Sequence, residues 1–349
     1  MSETVERAEA ATGLPGGEPS GPANPVWVAL RRSAVLLTER REATVFIVAV
    51  ILVIYFRTAA PAFFTKSNII NITQVAAPWA IIAIGEVMLL VCGEMDLSVG
   101  FTMLLAPFVM HYLIDFYSFP ATLAILITLA MGLVIGAANG FLVVGLGVPS
   151  FIATLGTSLI LGGIALTTSH AYPSNIPAKA AGIGHWFGTF AWAEITWAIV
   201  LVIIFHIVLT RTRWGLHTVA VGGNLVGARE AGVSIAKIKM GNFMLTATLG
   251  ALVGIQEAFR VNSIDPTSGG YQPMFYAIAA AVIGGTALAG GSGTVIGAFF
   301  GALVLAILTD GFNLIGVSAN PLGIIFGSAI LLAMIANVYL TRLRRAGAR

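Results

Sequence analysis

From Ala43 onward the chain alternates long apolar runs with short polar interruptions. Runs of helical length lie near 43–60, 69–92, 97–116, 119–144, 149–168, 195–210, 240–260, 274–290, 294–312 and 322–340. Most reach the roughly 20 residues that a helix needs to cross a bilayer. The pattern therefore predicts an all-α polytopic membrane protein of about ten transmembrane helices. Glycine-rich stretches around Gly93 and at Gly290 to Gly293 interrupt it, and these are alternatively read as re-entrant turns. Residues 1–25 hold Gly, Pro, Glu and Ser with few large apolar side chains, which predicts a disordered tail. No basic start, early apolar core and small-residue cleavage site precede Val26, so the tail is expected to stay cytoplasmic and residues 26–349 to form the membrane domain.

Composition sharpens this picture. Of 349 residues, 58% are hydrophobic and 9% charged, against roughly a quarter charged in a soluble domain. The surface is expected to face lipid. Forty glycines would weaken soluble helices, but small residues let helices in lipid approach closely. A pI near 9.2 does not point to nucleic acid, because the basic residues sit in short clusters beside apolar runs. Arg31, Arg32, Arg40 and Arg41 precede the first run. Arg211, Arg213, Arg229, Lys237 and Lys239 fill the connection 211–239, and Arg342, Arg344, Arg345 and Arg349 follow the last run. Only Arg57, Lys66, Lys179 and Arg260 land opposite, so the positive-inside rule places both termini and the 211–239 loop in the cytoplasm. The single cysteine, Cys92, lies in an apolar stretch and is read as buried packing.

The stretch Gly93 to Gly100, GEMDLSVG, sets two carboxylates and a helix N-cap signal between two apolar runs. It resembles the G-x-x-D-L-S-V-G signature of the permease subunits of ribose, xylose and arabinose ABC importers. Further similarity lies at Phe64 to Asn68 (FTKSN), Pro149 to Leu155 (PSFIATL), Gly222-Gly223-Asn224 with Ala228 and Gly232, and Ala279 to Gly291 (AAAVIGGTALAGG). The resemblance covers roughly residues 60–340. It implies a type II importer-like permease fold with inverted repeats and a second permease subunit as a homo- or heterodimer partner. It also implies an ATP-binding cassette ATPase and an extracytoplasmic sugar-binding protein. No G-x-x-x-x-G-K-[ST] loop occurs, so no cofactor is expected on this chain, and ATP with its Mg is expected in the partner ATPase. Glu94-Met95 and Gln272 depart from the family pattern.

Four groups of residues are candidates for function. Gly93, Asp96, Leu97, Ser98 and Gly100 form a structural or gating turn, with Asp96 capping backbone N–H groups as the favoured role. Asn139, Thr154, Thr157 and Ser158 either line a sugar path or satisfy backbone carbonyls and neighbouring helices. Arg57, Lys66 and Arg260 are candidates for docking a delivering protein, with Glu257 as the alternative partner of Arg260. Within 211–239, a flexible break at Gly222-Gly223, an Asn224 cap and a stop at Gly232 predict a short coupling helix. Its small Ala228 and Ala231, beside Arg229 and Glu230, are expected to sit in a groove on the ATPase. A Pro-initiated echo after Pro149 and Pro321 suggests that the fifth and tenth runs are counterparts. Glu86 and Asp310 are carboxylates at membrane depth and keep a proton-coupled carrier open as a rival, beside a branched-chain amino-acid permease. A membrane enzyme would need convergent acid, base or metal groups, and His170 and His185 are too isolated to hold a metal.

Overall fold

The computed structural model describes residues 41–317 together with Gly323, Ile324, Gly327, Ser328, Leu331 and Ile335. The predicted tail, Arg31, Arg32, Arg40, the C-terminal arginines and nearly all of the tenth apolar run, with its echo at Pro321, lie outside these residues.

Each of the other nine runs falls on a helix: α1 Arg41–Ala59, α2 Lys66–Val91, α3 Val99–Asp115, α4 Ala121–Gly140 and α5 Ser150–Ser169 in the first half. The second half holds α6 Ala193–Arg211, α7 Arg213–Gly223, α8 Leu225–Glu230, α9 Ile235–Val261, α10 Tyr271–Ile283 and α11 Val295–Leu314. Among the described residues seven helices are long and apolar enough to cross a bilayer. The expected count of ten differs because α3 and α10 have only 17 and 13 residues and because the tenth run is not described. The shortening has a local cause. The Asp96–Ser98 turn holds α3 back to Val99, and Gly285, Gly290 and Gly291 beyond α10 take left-handed backbone conformations that an α-helix cannot continue through.

Helix α2 is buried over 83% of its most apolar window and α1 over 17%. A helix that is apolar all round belongs in the centre of a bundle, so α2 forms its axis, with α9, α10, α11 and α6 packed on it. Outward faces of the peripheral helices carry exposed Ile51, Ile54, Leu126, Val134, Ile160 and Ile203, as a lipid-facing surface requires. Two sets of contacts place α11 antiparallel to α2 and parallel to α1. Asp310 near the end of α11 accepts hydrogen bonds from Asn68 and Asn71 at the start of α2, both at 2.7 Å, and Thr294 at the start of α11 donates to Glu42 of α1. At the other end of α9 a two-residue antiparallel pairing joins β1 Ser174–Asn175 to β2 Ser263–Ile264.

Close approach, more than side-chain interlock, holds α9 to α3 and α4. A Cβ on Gly254 would lie 2.0 Å from the Met103 carbonyl oxygen, and one on Gly136 would lie 2.4 Å from the Phe243 carbonyl oxygen. Gly254→Val is expected to lower stability by about 1–3 kcal/mol through overpacking, read as a lower melting temperature in detergent. Gly156→Ala, where a Cβ meets nothing within 4 Å, is the matched control and should leave melting unchanged or slightly raised.

Candidate functional site

The break between α2 and α3 organises the polar chemistry of the bundle. Gly93 turns the chain with φ +83°, and Glu94 N–H returns to the Leu89 carbonyl at 2.9 Å. Asp96 then accepts from the Ser98 amide at 2.8 Å and from the Ser98 hydroxyl at 2.6 Å. The capping group at the start of α3 is thus Asp96, two residues ahead, while the Ser98 side chain makes no cap of its own.

Helices α4 and α5 supply the remaining partners of this turn. Asn139 donates to the Ser98 hydroxyl at 2.8 Å and accepts from the Thr157 hydroxyl at 2.7 Å. Thr154 accepts from the Leu97 amide at 3.0 Å and donates to the Ser150 carbonyl at 2.7 Å. Ser158 donates to the Leu155 carbonyl at 2.7 Å and lies 3.4 Å from the Tyr271 hydroxyl. Asp96, Ser98, Asn139, Thr154 and Ser158 are all fully enclosed. Asn139, Thr154 and Thr157, nominated for a sugar path, therefore converge with the turn residues on one network bracing the 93–98 segment, while Ser158 stays outside it against Leu155 and Tyr271. Gly100 completes it from the far side, since its carbonyl accepts from the Gly270 amide at 2.9 Å and the starts of α3 and α10 meet there.

Sequence reasoning did not single out the polar groups on the other face of the break. Lys239 pairs with Glu94, and Asn242 donates to the Met88 carbonyl at 3.1 Å while accepting from the Trp214 indole at 2.9 Å. A lone Asn one turn inside an apolar run was the available signal. Glu86, in contrast, is fully buried on α2 with neither carboxylate oxygen hydrogen-bonded among the described residues.

The connection between α6 and α9 is helical, as predicted, but differently arranged. Asn224 caps α8 by accepting from the Gly227 amide at 2.9 Å, and Gly232 leaves the helical region at φ +79°. Gly222 and Gly223 are no flexible break. They end α7, and a Cβ on Gly222 would lie 1.7 Å from the Val91 carbonyl oxygen, so glycine there permits contact with the end of α2. Ala228 faces inward among Leu89, Cys92, Val221, Ile238 and Phe243, which removes it from any outward surface. Leu225, Val226, Arg229, Glu230 and Ala231 are exposed. The docking candidates also separate: Arg57 and Lys66 are exposed, with the Arg57 guanidinium over the Phe64 ring, while Arg260 is paired with Glu257 and lies 3.4 Å from Glu194.

Asn139→Leu should strip the network of its central donor and acceptor and lower stability by about 1–3 kcal/mol, the cost of leaving buried partners unsatisfied. Combined with Thr157→Val, the loss in melting temperature should be less than the sum of the single losses.

Residues 68–336 match the family profile described as branched-chain amino acid transport system / permease component. The chain is 36% identical over 315 residues to the xylose/arabinose import permease protein XylH of Sulfolobus acidocaldarius, covering 88% of this chain and 87% of that one. It is 36% identical over 301 residues to the ribose import permease protein RbsC of Escherichia coli K12, covering 83% and 92%. With the fructose import permease protein FrcC of Rhizobium meliloti it shares 30% over 294 residues, covering 80% of each. No solved structure matches the chain at a significant level.

Proposed function

The chain belongs to the branched-chain amino acid transport system / permease component family, and from that premise we propose that it is the membrane-spanning subunit of an ATP-binding-cassette importer for a monosaccharide or related polyol. The observation that carries the sugar assignment is the 36% identity to xylose/arabinose and ribose import permeases along more than four-fifths of both chains. In this reading a second permease subunit completes the translocation path. Partner ATPases bind and hydrolyse ATP with Mg, and a binding protein outside the membrane delivers the sugar.

Orientation follows from the basic connection 211–239, placed in the cytoplasm with both termini. The exposed side of α8, Leu225 and Val226 flanked by Arg229 and Glu230, then faces the ATPase. Arg57 and Lys66 face the delivering protein, where long-range attraction speeds encounter. The non-helical segments after α2 and after α9 lead into α3 and α10, whose starts meet at the Gly270 amide and the Gly100 carbonyl, an arrangement that supports inverted repeats. Alternating access needs such units to move as bodies. The network of Asp96, Ser98, Asn139 and Thr157 makes the α3–α4–α5 group one such unit.

Proteoliposomes holding this chain, its ATPase and a binding protein should accumulate D-ribose, D-xylose or D-fructose in an ATP-dependent manner that collapse of the pH gradient does not alter. Flux driven by a pH gradient through the chain alone would refute the proposal in favour of a carrier, and uptake of L-leucine would move the substrate class. Val226→Asp, at an exposed position on α8, should weaken ATPase association by about tenfold or more, as loss of a central apolar contact does. Pull-down of the ATPase with the purified permease measures this.

A further inference from the structure

The end of α2 is held by α9 as well as by its own turn. A helix terminus leaves its last carbonyls without helical partners. Here Cys92 N–H bonds to the Leu89 carbonyl, which leaves the Met88 carbonyl to accept from Asn242 at 3.1 Å. One turn earlier on the same face of α9, Lys239 pairs with Glu94, the second residue of the break. The two side chains are 16% and 12% exposed, so the pair is largely withdrawn from water. Asn242 in turn accepts from Trp214 and lies 3.4 Å from the Thr218 hydroxyl, both on α7. Gly222 of α7 rests on the Val91 carbonyl, and Ala228 of α8 packs with Leu89, Cys92 and Ile238. One short stretch of α9 therefore touches the α7–α8 connection and the end of α2 with its turn.

We propose that Lys239 and Asn242 are positioning residues for transport, tying the α7–α8 connection to the Glu94–Ser98 turn so that displacement of α8 moves the turn with it. This rests on the importer reading, in which the ATPase pushes on α8. The physical basis is stiffness. Breaking a desolvated ion pair leaves an uncompensated buried charge, so α9 and the turn move together instead of sliding past one another. Asn242 uses its amide as donor to α2 and its carbonyl as acceptor from α7, which fixes both helices to one side chain. From the turn, Ser98 and Asn139 extend the tie to α4 and α5.

The test uses the full complex in proteoliposomes and D-ribose or D-xylose, whichever the wild type accumulates, with sugar moved per ATP hydrolysed as the readout. Glu94→Lys and Lys239→Glu should each lower that ratio by on the order of tenfold while hydrolysis continues, and the double reversal should recover most of it. Lys239→Arg should be close to wild type. The single native cysteine offers an independent readout, because Cys92 is buried 3.5 Å from the Asn242 amide. Its reaction with N-ethylmaleimide should change on trapping with ATP and vanadate in the wild type but not in Asn242→Leu. A merely structural role would raise reactivity equally in both nucleotide states. If a single reversal fails to assemble, Glu94→Gln with Lys239→Gln reads the same coupling ratio. Wild-type coupling in the single variants, or a double reversal no better than either, would overturn the inference. Absence of ATP-dependent uptake by the wild type would instead remove the importer reading, and this inference with it.

Discussion

No water inside a bilayer's hydrocarbon can satisfy a backbone that leaves the helix, so every interruption must find its hydrogen bonds within the protein. Two interruptions dominate this bundle, the segment joining α2 to α3 and the one joining α9 to α10. In the first, Leu97 N–H goes to Thr154, Ser98 N–H to Asp96, and the freed Met88 carbonyl to Asn242. In the second, Asp265 accepts from the Thr267 amide at 2.8 Å and Gly270 N–H reaches the Gly100 carbonyl. The second break is thus tied to the first turn of α3, where the starts of α3 and α10 meet.

Much of the remaining architecture follows from that demand. Polar side chains appear on otherwise apolar helices at positions that reach the first break or the end of α2 beside it, Asn139 on α4, Thr154 on α5 and Asn242 on α9, with Thr157 bonding Asn139 behind them. Small residues bring those helices close enough, with Gly136 and Gly254 letting α9 lie directly on the backbones around it. A buried polar network of this kind rigidifies what it joins, because each partially broken state leaves unpaired groups in a low-dielectric interior. Rigid groups joined at discontinuous helices are what a transporter needs to switch access, so the same bonds that allow the breaks also define the parts that move.

Nine helices were legible as apolar runs because hydropathy over some 20 residues reads burial in lipid directly. The length of α10 was not, since apolar composition continues across Gly285 while the backbone does not. The turn at Asp96 and the Asn224 cap were legible because both depend on neighbours within three residues. What Asn139 and Thr157 bind was not, because their partners depend on which helices are adjacent. The same holds for Lys239 and Glu94, which lie 145 residues apart in sequence. A small residue between charged ones, as at Ala228, suggests an outward surface, whereas the α8 register turns Ala228 inward and leaves Val226 outside.

The central claim, that the break at 93–98 is held as tightly as the helices beside it, is most directly tested by hydrogen exchange on the membrane-embedded protein. Amides at Leu97 and Ser98 should exchange as slowly as those in the buried centre of α2, and far more slowly than those in the exposed connection 231–234. Exchange at Leu97 and Ser98 as fast as in that connection would contradict it, leaving the segment an ordinary loop.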